Sequence, residues 1–83
     1  MSSPEQTTDK LVYMANQIGK FFASQSDQAA VAGAADHIKK FWDPRMRKMI
    51  FAHLDAGGSG LDPKVRQAIE SLQQAADNQA HSA

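Results

Sequence analysis

Asp36-His37-Ile38-Lys39-Lys40-Phe41-Trp42-Asp43-Pro44-Arg45-Met46-Arg47-Lys48-Met49-Ile50-Phe51 is a stretch in which one helix ends and another begins. Proline disfavours helical geometry at the residue before it and is accommodated at the first position of a new helix. Asp43 therefore closes the upstream segment, and its carboxylate can cap the downstream one by accepting an orphan backbone N–H. Upstream, Val31, Ala34 or Ala35, Ile38, and Phe41 or Trp42 recur at helical spacing, which predicts a helix over about 27–42 with Ser26 as its cap. The early half is alanine-rich around Gly33 and the late half is bulky. That taper predicts a crossed helix pair opening at the Phe41-Trp42 end. Downstream, Met46, Met49 or Ile50, and Leu54, widened by Phe51, predict a short helix over about 44–54.

Further out, the same signals repeat. Leu11, Met14 or Ala15, Ile18, and Phe21 or Phe22 form an amphipathic stripe that predicts a first helix over about 8–24, capped by Thr7 or Thr8. Gly19 lies inside it and costs about 1 kcal/mol relative to alanine, which suggests close approach of another helix. Asp55-Ala56-Gly57-Gly58-Ser59-Gly60 reads as a flexible loop or helix stop. Asp62-Pro63 restates the start signal, again with aspartate as a candidate cap. Val65, Ala68 or Ile69, and Leu72 then predict a fourth helix over about 63–75. Asp43-Pro44-Arg45-Met46-Arg47 thus echoes Asp62-Pro63-Lys64-Val65-Arg66, which reads as two copies of one helix-start solution. No alternating β pattern competes. The expected fold is an all-α bundle of three to four helices, a single domain over 8–76 between a flexible N-terminus (1–7) and a flexible tail (77–83).

At 83 residues the chain is one small domain, too small to enclose a cofactor and a substrate together. It has no cysteine, so disulfides, thiolate zinc sites, cysteine-ligated clusters and thiol nucleophiles are excluded. Nine cations balance nine acids. The balance is uneven: residues 36–53 carry five cations against two acids, and the flanks are acidic. No apolar run approaches a membrane span, and the N-terminus lacks the basic start and apolar core of a signal peptide. The expected location is cytoplasmic.

Catalytic constellations are missing. His37, His53 and His81 are widely spaced, with no His-Glu-x-x-His pair, and read as polar-face, boundary or tail residues. Ser59 lacks a nucleophile elbow, and its glycines lack the lysine and preceding strand of a phosphate loop. The chain is therefore not expected to be an enzyme by itself. The central block can serve as a docking edge, with Trp42 or Phe41 as anchor and arginines pairing with carboxylates of a partner. Trp42 can equally pack in the core. A small nucleic-acid-binding protein or a free-standing adaptor is the alternative use of the same cations. Overall neutrality argues against nucleic acid, and the proline break argues against a membrane surface.

Tyr13-Met14-Ala15-Asn16-Gln17-Ile18-Gly19-Lys20-Phe21-Phe22, the run from Ala30 to Arg47, and Gly58-Ser59-Gly60-Leu61-Asp62-Pro63 with Val65 are together distinctive. Over about residues 11–72 the chain resembles the small delta subunit of soluble NAD-dependent molybdenum formate dehydrogenases. The resemblance implies an accessory subunit without a cofactor of its own, implicated in assembly, maturation or stability of a complex that oxidises formate to carbon dioxide. It implies molybdenum-pterin, iron–sulfur clusters and FMN in partner subunits, and the large catalytic subunit as the partner. Onto this chain it carries Asn16 and Gln17, the junction residues Asp36, His37, Lys39, Lys40, Trp42, Asp43, Pro44, Arg45 and Arg47, and Gly60 through Pro63. Contact with the large subunit is expected at His37, Lys40, Arg45 and Arg47, with Trp42 beside them. Asn16 and Gln17 form a second contact or a plain polar face.

Overall fold

Three side chains start the first three helices among the described residues. The computed structural model describes residues 7–81, with side chains through Asn78. Thr7 Oγ1 accepts from Lys10 N at 3.2 Å, Ser26 Oγ from Ala29 N at 3.2 Å, and Asp43 Oδ1 from Met46 N at 2.9 Å. Each cap satisfies a backbone donor that the first helical turn leaves unpaired. They open α1 (Thr8–Phe22), α2 (Asp27–Phe41) and α3 (Pro44–Asp55). The last helix, α4 (Pro63–His81), starts on Pro63, with Asp62 O accepting from Arg66 N. Here the two aspartates part: no hydrogen bond from the Asp62 carboxylate into α4 forms among the described residues. The expected all-α bundle is present, with no strand among the described residues.

Helix ends follow local chemistry. Tight bonds of Ala23 N to Lys20 O and Gln25 N to Phe22 O finish α1 two residues before the expected 24. Trp42 takes extended geometry (φ −91°, ψ 138°), so α2 ends at Phe41. The largest difference is α4, which runs to His81 instead of 75. Residues 73–80 are mostly alanine, glutamine and asparagine. Alanine and glutamine are strong helix formers, and no glycine or proline interrupts them. Gln73 Nε2 also donates to Asp55 Oδ1 at 3.1 Å, tying α4 to the end of α3. The expected domain edge at 76 therefore falls inside a helix. Of the expected flexible ends, residues 1–6 and 82–83 lie outside the described residues.

The core is a single apolar cluster. Leu11 and Ala15 of α1, Ile38 of α2, Ile50 of α3, and Val65 and Ile69 of α4 are essentially solvent-free, joined by Trp42, Met46 and Leu61. Each large aliphatic side chain so buried contributes about 1.5–3 kcal/mol. The ion pairs Lys40–Asp36 and Lys64–Asp27 are exposed and screened by solvent, so packing decides the fold. Along α2 the buried line is Ala30, Ala34, Ile38, Trp42, small at one end and large at the other, as the taper predicted. Two glycines allow close packing. A Cβ at Gly19 would strike the Val65 side chain of α4, and one at Gly33 would lie 2.7 Å from the Phe22 ring.

The glycine segment takes the second of its two expected forms, a helix stop rather than a flexible loop. It is not loose. Gly58 N donates to His53 O at 2.9 Å and Gly57 N to Leu54 O at 3.0 Å, with Gly57 at φ +122°. This is the paired-bond helix stop that favours glycine. Side chains then tie the loop from three directions. Arg66 Nη2 donates to Gly57 O at 2.6 Å, and Asn16 Nδ2 donates to Gly60 O at 2.9 Å. His53 Nε2 lies 2.7 Å from Ser59 O. A carbonyl can only accept, so that ring nitrogen carries the proton.

Candidate partner-binding surface

The buried line of α2 advances four residues at a time and ends on Trp42. Consecutive helical residues are turned by about 100°, so the residue before the tryptophan faces away from the core. Phe41 is accordingly 71% exposed, while Trp42 is 4% exposed. Trp42 leaves the helix in extended geometry, and its ring takes the core. Trp42 is thus a core residue, and the anchor position at this edge passes to Phe41.

His37, one turn earlier, lies against Phe41 with ring centroids 4.6 Å apart and planes inclined at 39°. Lys40 Nζ pairs with Asp36 Oδ2 at 3.1 Å on the exposed side of the same helix. Arg45 is exposed in the first turn of α3. His37 and the Lys40–Asp36 pair therefore flank an exposed aromatic ring at the end of α2, and Arg45 is an exposed cation at the start of α3. Covering an exposed phenyl ring is worth about 1.5–3 kcal/mol, which makes Phe41 the largest apolar side chain available at this edge.

The other expected contact residues have internal duties. Arg47 is half-buried, and its Nη1 donates to Lys39 O at 3.2 Å and to Trp42 O. These carbonyls belong to the end of α2, where no further helical turn can satisfy them. Asn16 is spent on the glycine loop: beyond its bond to Gly60 O, its Oδ1 accepts from Asp62 N at 3.0 Å. Gln17 Nε2 donates to Tyr13 Oη at 3.0 Å on exposed α1. The structure puts His37 and Lys40 beside the exposed Phe41 on α2, gives Asn16 and Trp42 to the fold, and spends Arg47 Nη1 on backbone carbonyls.

Sequence reasoning missed two features. Arg66 repeats the act of Arg47 on the next junction, and the echo at 43–47 and 62–66 was the signal for it. Lys39 lies on the opposite side of α2 from His37 and Phe41. Two residues turn a helix by about 200°, so the sequence cluster splits between two faces.

Among the described residues no group of three or more His, Asp or Glu side chains could hold a metal ion, and no helix is long and apolar enough to cross a membrane. What remains is a class: a small helical domain without metal-binding or catalytic motifs among its described residues, consistent with an accessory protein. The chain belongs to the family described as NADH-dependant formate dehydrogenase delta subunit FdsD, whose model matches residues 10–69. That span runs from the first turn of α1 to Ile69 of α4 and includes the whole Phe41 edge. No curated protein and no solved structure matches the chain.

Proposed function

We propose that this protein is a non-catalytic accessory subunit of a cytoplasmic NAD-dependent molybdenum formate dehydrogenase, binding the large catalytic subunit and supporting assembly, maturation or stability of the complex. The observation that carries this reading is the family match over residues 10–69, which spans α1 to α3 and most of the buried face of α4. The exposed Phe41, with His37 packed against it, gives the docking a physical basis. The molybdenum-pterin, iron–sulfur clusters and FMN of such an enzyme belong to its other subunits. The residues here do not fit such centres: the chain has no cysteine, and its described histidines and carboxylates do not cluster.

The decisive experiment is co-expression with a tagged large subunit, followed by affinity purification and assay of formate oxidation. The wild-type chain co-purifies, and omitting it lowers the yield of active enzyme. Phe41→Ala with Arg45→Glu, both exposed and distant from the core, abolishes retention while the isolated variant keeps its helical circular dichroism. Full retention of that variant would remove the edge from the account. A wild-type chain that never co-purifies would remove the subunit assignment.

A further inference from the structure

The far side of α2 carries a second surface. Between α3 and the C-terminal half of α4 lies an open groove of about 220 Å³. Phe51 of α3 and Leu72 of α4 line it, both half-buried, together with the exposed small side chains of Ala75 and Ala76. At its α2 side stand Lys39 and Arg47.

Its charge is one-sided. Two cations line the groove and no carboxylate does. Arg47 spends its recorded hydrogen bonds on two neutral carbonyls, so its charge is not cancelled. Lys39 makes no ion pair among the described residues. The volume falls below the roughly 300–1,000 Å³ of pockets that enclose small ligands, and suits one or two inserted side chains. Alanine at 75 and 76 lets a backbone approach α4 closely.

We infer that this groove receives an acidic amphipathic segment of the partner, which places an apolar side chain against Phe51 and Leu72 and a carboxylate near Lys39 and Arg47. The inference rests on the accessory-subunit reading for the identity of the partner, and adds a second, independently breakable contact across α2 from Phe41.

The test uses the full chain co-expressed with the tagged large subunit. Ala75→Trp fills the groove, and Lys39→Glu reverses its charge. Both sites are exposed, and circular dichroism confirms folding. Each variant is expected to weaken binding about tenfold, equivalent to about 1.4 kcal/mol, while Ala75→Ser leaves it unchanged. A photo-crosslinker at position 75 is expected to label a large-subunit peptide containing carboxylates and large apolar residues. Unchanged affinity of both variants overturns the groove contact, as does labelling of a basic peptide or only of a second copy of this chain. In those cases retention through Phe41 leaves the subunit assignment standing. Failure of the wild-type chain to bind at all removes both.

Discussion

The two Asp-Pro junctions use the same residues and are held in different ways. At the first, two residues separate α2 from α3. Asp43 caps Met46 N, and Arg47, four residues after the aspartate, donates back to Lys39 O and Trp42 O. At the second, seven residues separate α3 from α4. Arg66, again four residues after an aspartate, donates back to Gly57 O and Gly58 O. The shared arginine does one job: it satisfies carbonyls stranded where the previous helix stopped. The rest differs. The first junction is closed by neighbours in sequence and by burial of Trp42. The second needs positive-φ glycines and a distant side chain, Asn16 of α1. A short turn has few backbone groups to satisfy, whereas a long loop strands more of them and must recruit help from elsewhere.

Removing the plug of the first junction should have the largest effect. Trp42→Ala leaves a cavity in the core and should cost about 3–5 kcal/mol, read as a lowered denaturant midpoint. In a domain whose total stability is about 5–15 kcal/mol, that is a large fraction of the whole. A loss below about 1 kcal/mol would mean that Trp42 does not hold that junction.

The second junction should break at its backbone. Gly58 is buried at φ +64°, and a Cβ there would lie 2.9 Å from Arg66 Nη2. Gly58→Ala should therefore cost about 2 kcal/mol, combining left-handed strain with displacement of the guanidinium. Asn16→Ala should cost about 1–2 kcal/mol through two lost hydrogen bonds, with faster amide exchange at residues 58–62 as its signature. Exchange unchanged there would show that the loop does not depend on α1.

The paired aspartates sharpen the comparison further. Asp43→Ala should cost about 1 kcal/mol as a lost cap, and Asp62→Ala distinctly less. Equal losses would erase the distinction between the junctions. The smallest effect concerns Lys64, just after Pro63, which pairs with Asp27 at 2.8 Å. The hydrogen bond from Lys64, and then its charge, hold the Asp27 carboxyl below its ordinary value of 3.8. A lowered folded-state value means the contribution is complete above that ordinary value and disappears as pH falls through the folded one. Thermal melts of wild type and Lys64→Met should differ slightly at pH 6 and converge at pH 2. A difference that persists at pH 2 would assign the effect of Lys64 to something other than this pair.

Much of the architecture was legible in the chain. Thr7, Ser26 and Asp43 cap where their residue types and following apolar periods placed them, and Gly57 stops α3. The adjacent pairs were not resolved. Phe21 or Phe22, and Phe41 or Trp42, both sit near the edge of an apolar stripe, and only the neighbouring helices choose between them. Gly33 makes room for Phe22, which leaves Phe21 outside. The docking edge was read as one basic block, although helix geometry divides it between two faces.

The sequence by itself determined where helices begin, because caps and prolines act through bonds reaching only a few residues, whereas the far end of α4 was misplaced. It also excluded thiolate chemistry, because cysteine is absent. The tertiary structure alone decided which polar side chains stay available. Asn16 looked like a contact residue and is consumed by stranded backbone groups, Arg47 spends only one guanidinium nitrogen on them, and Phe41 was left outside by the tryptophan beside it. Those outcomes depend on where another helix puts its carbonyls and its empty space, and no local pattern encodes that.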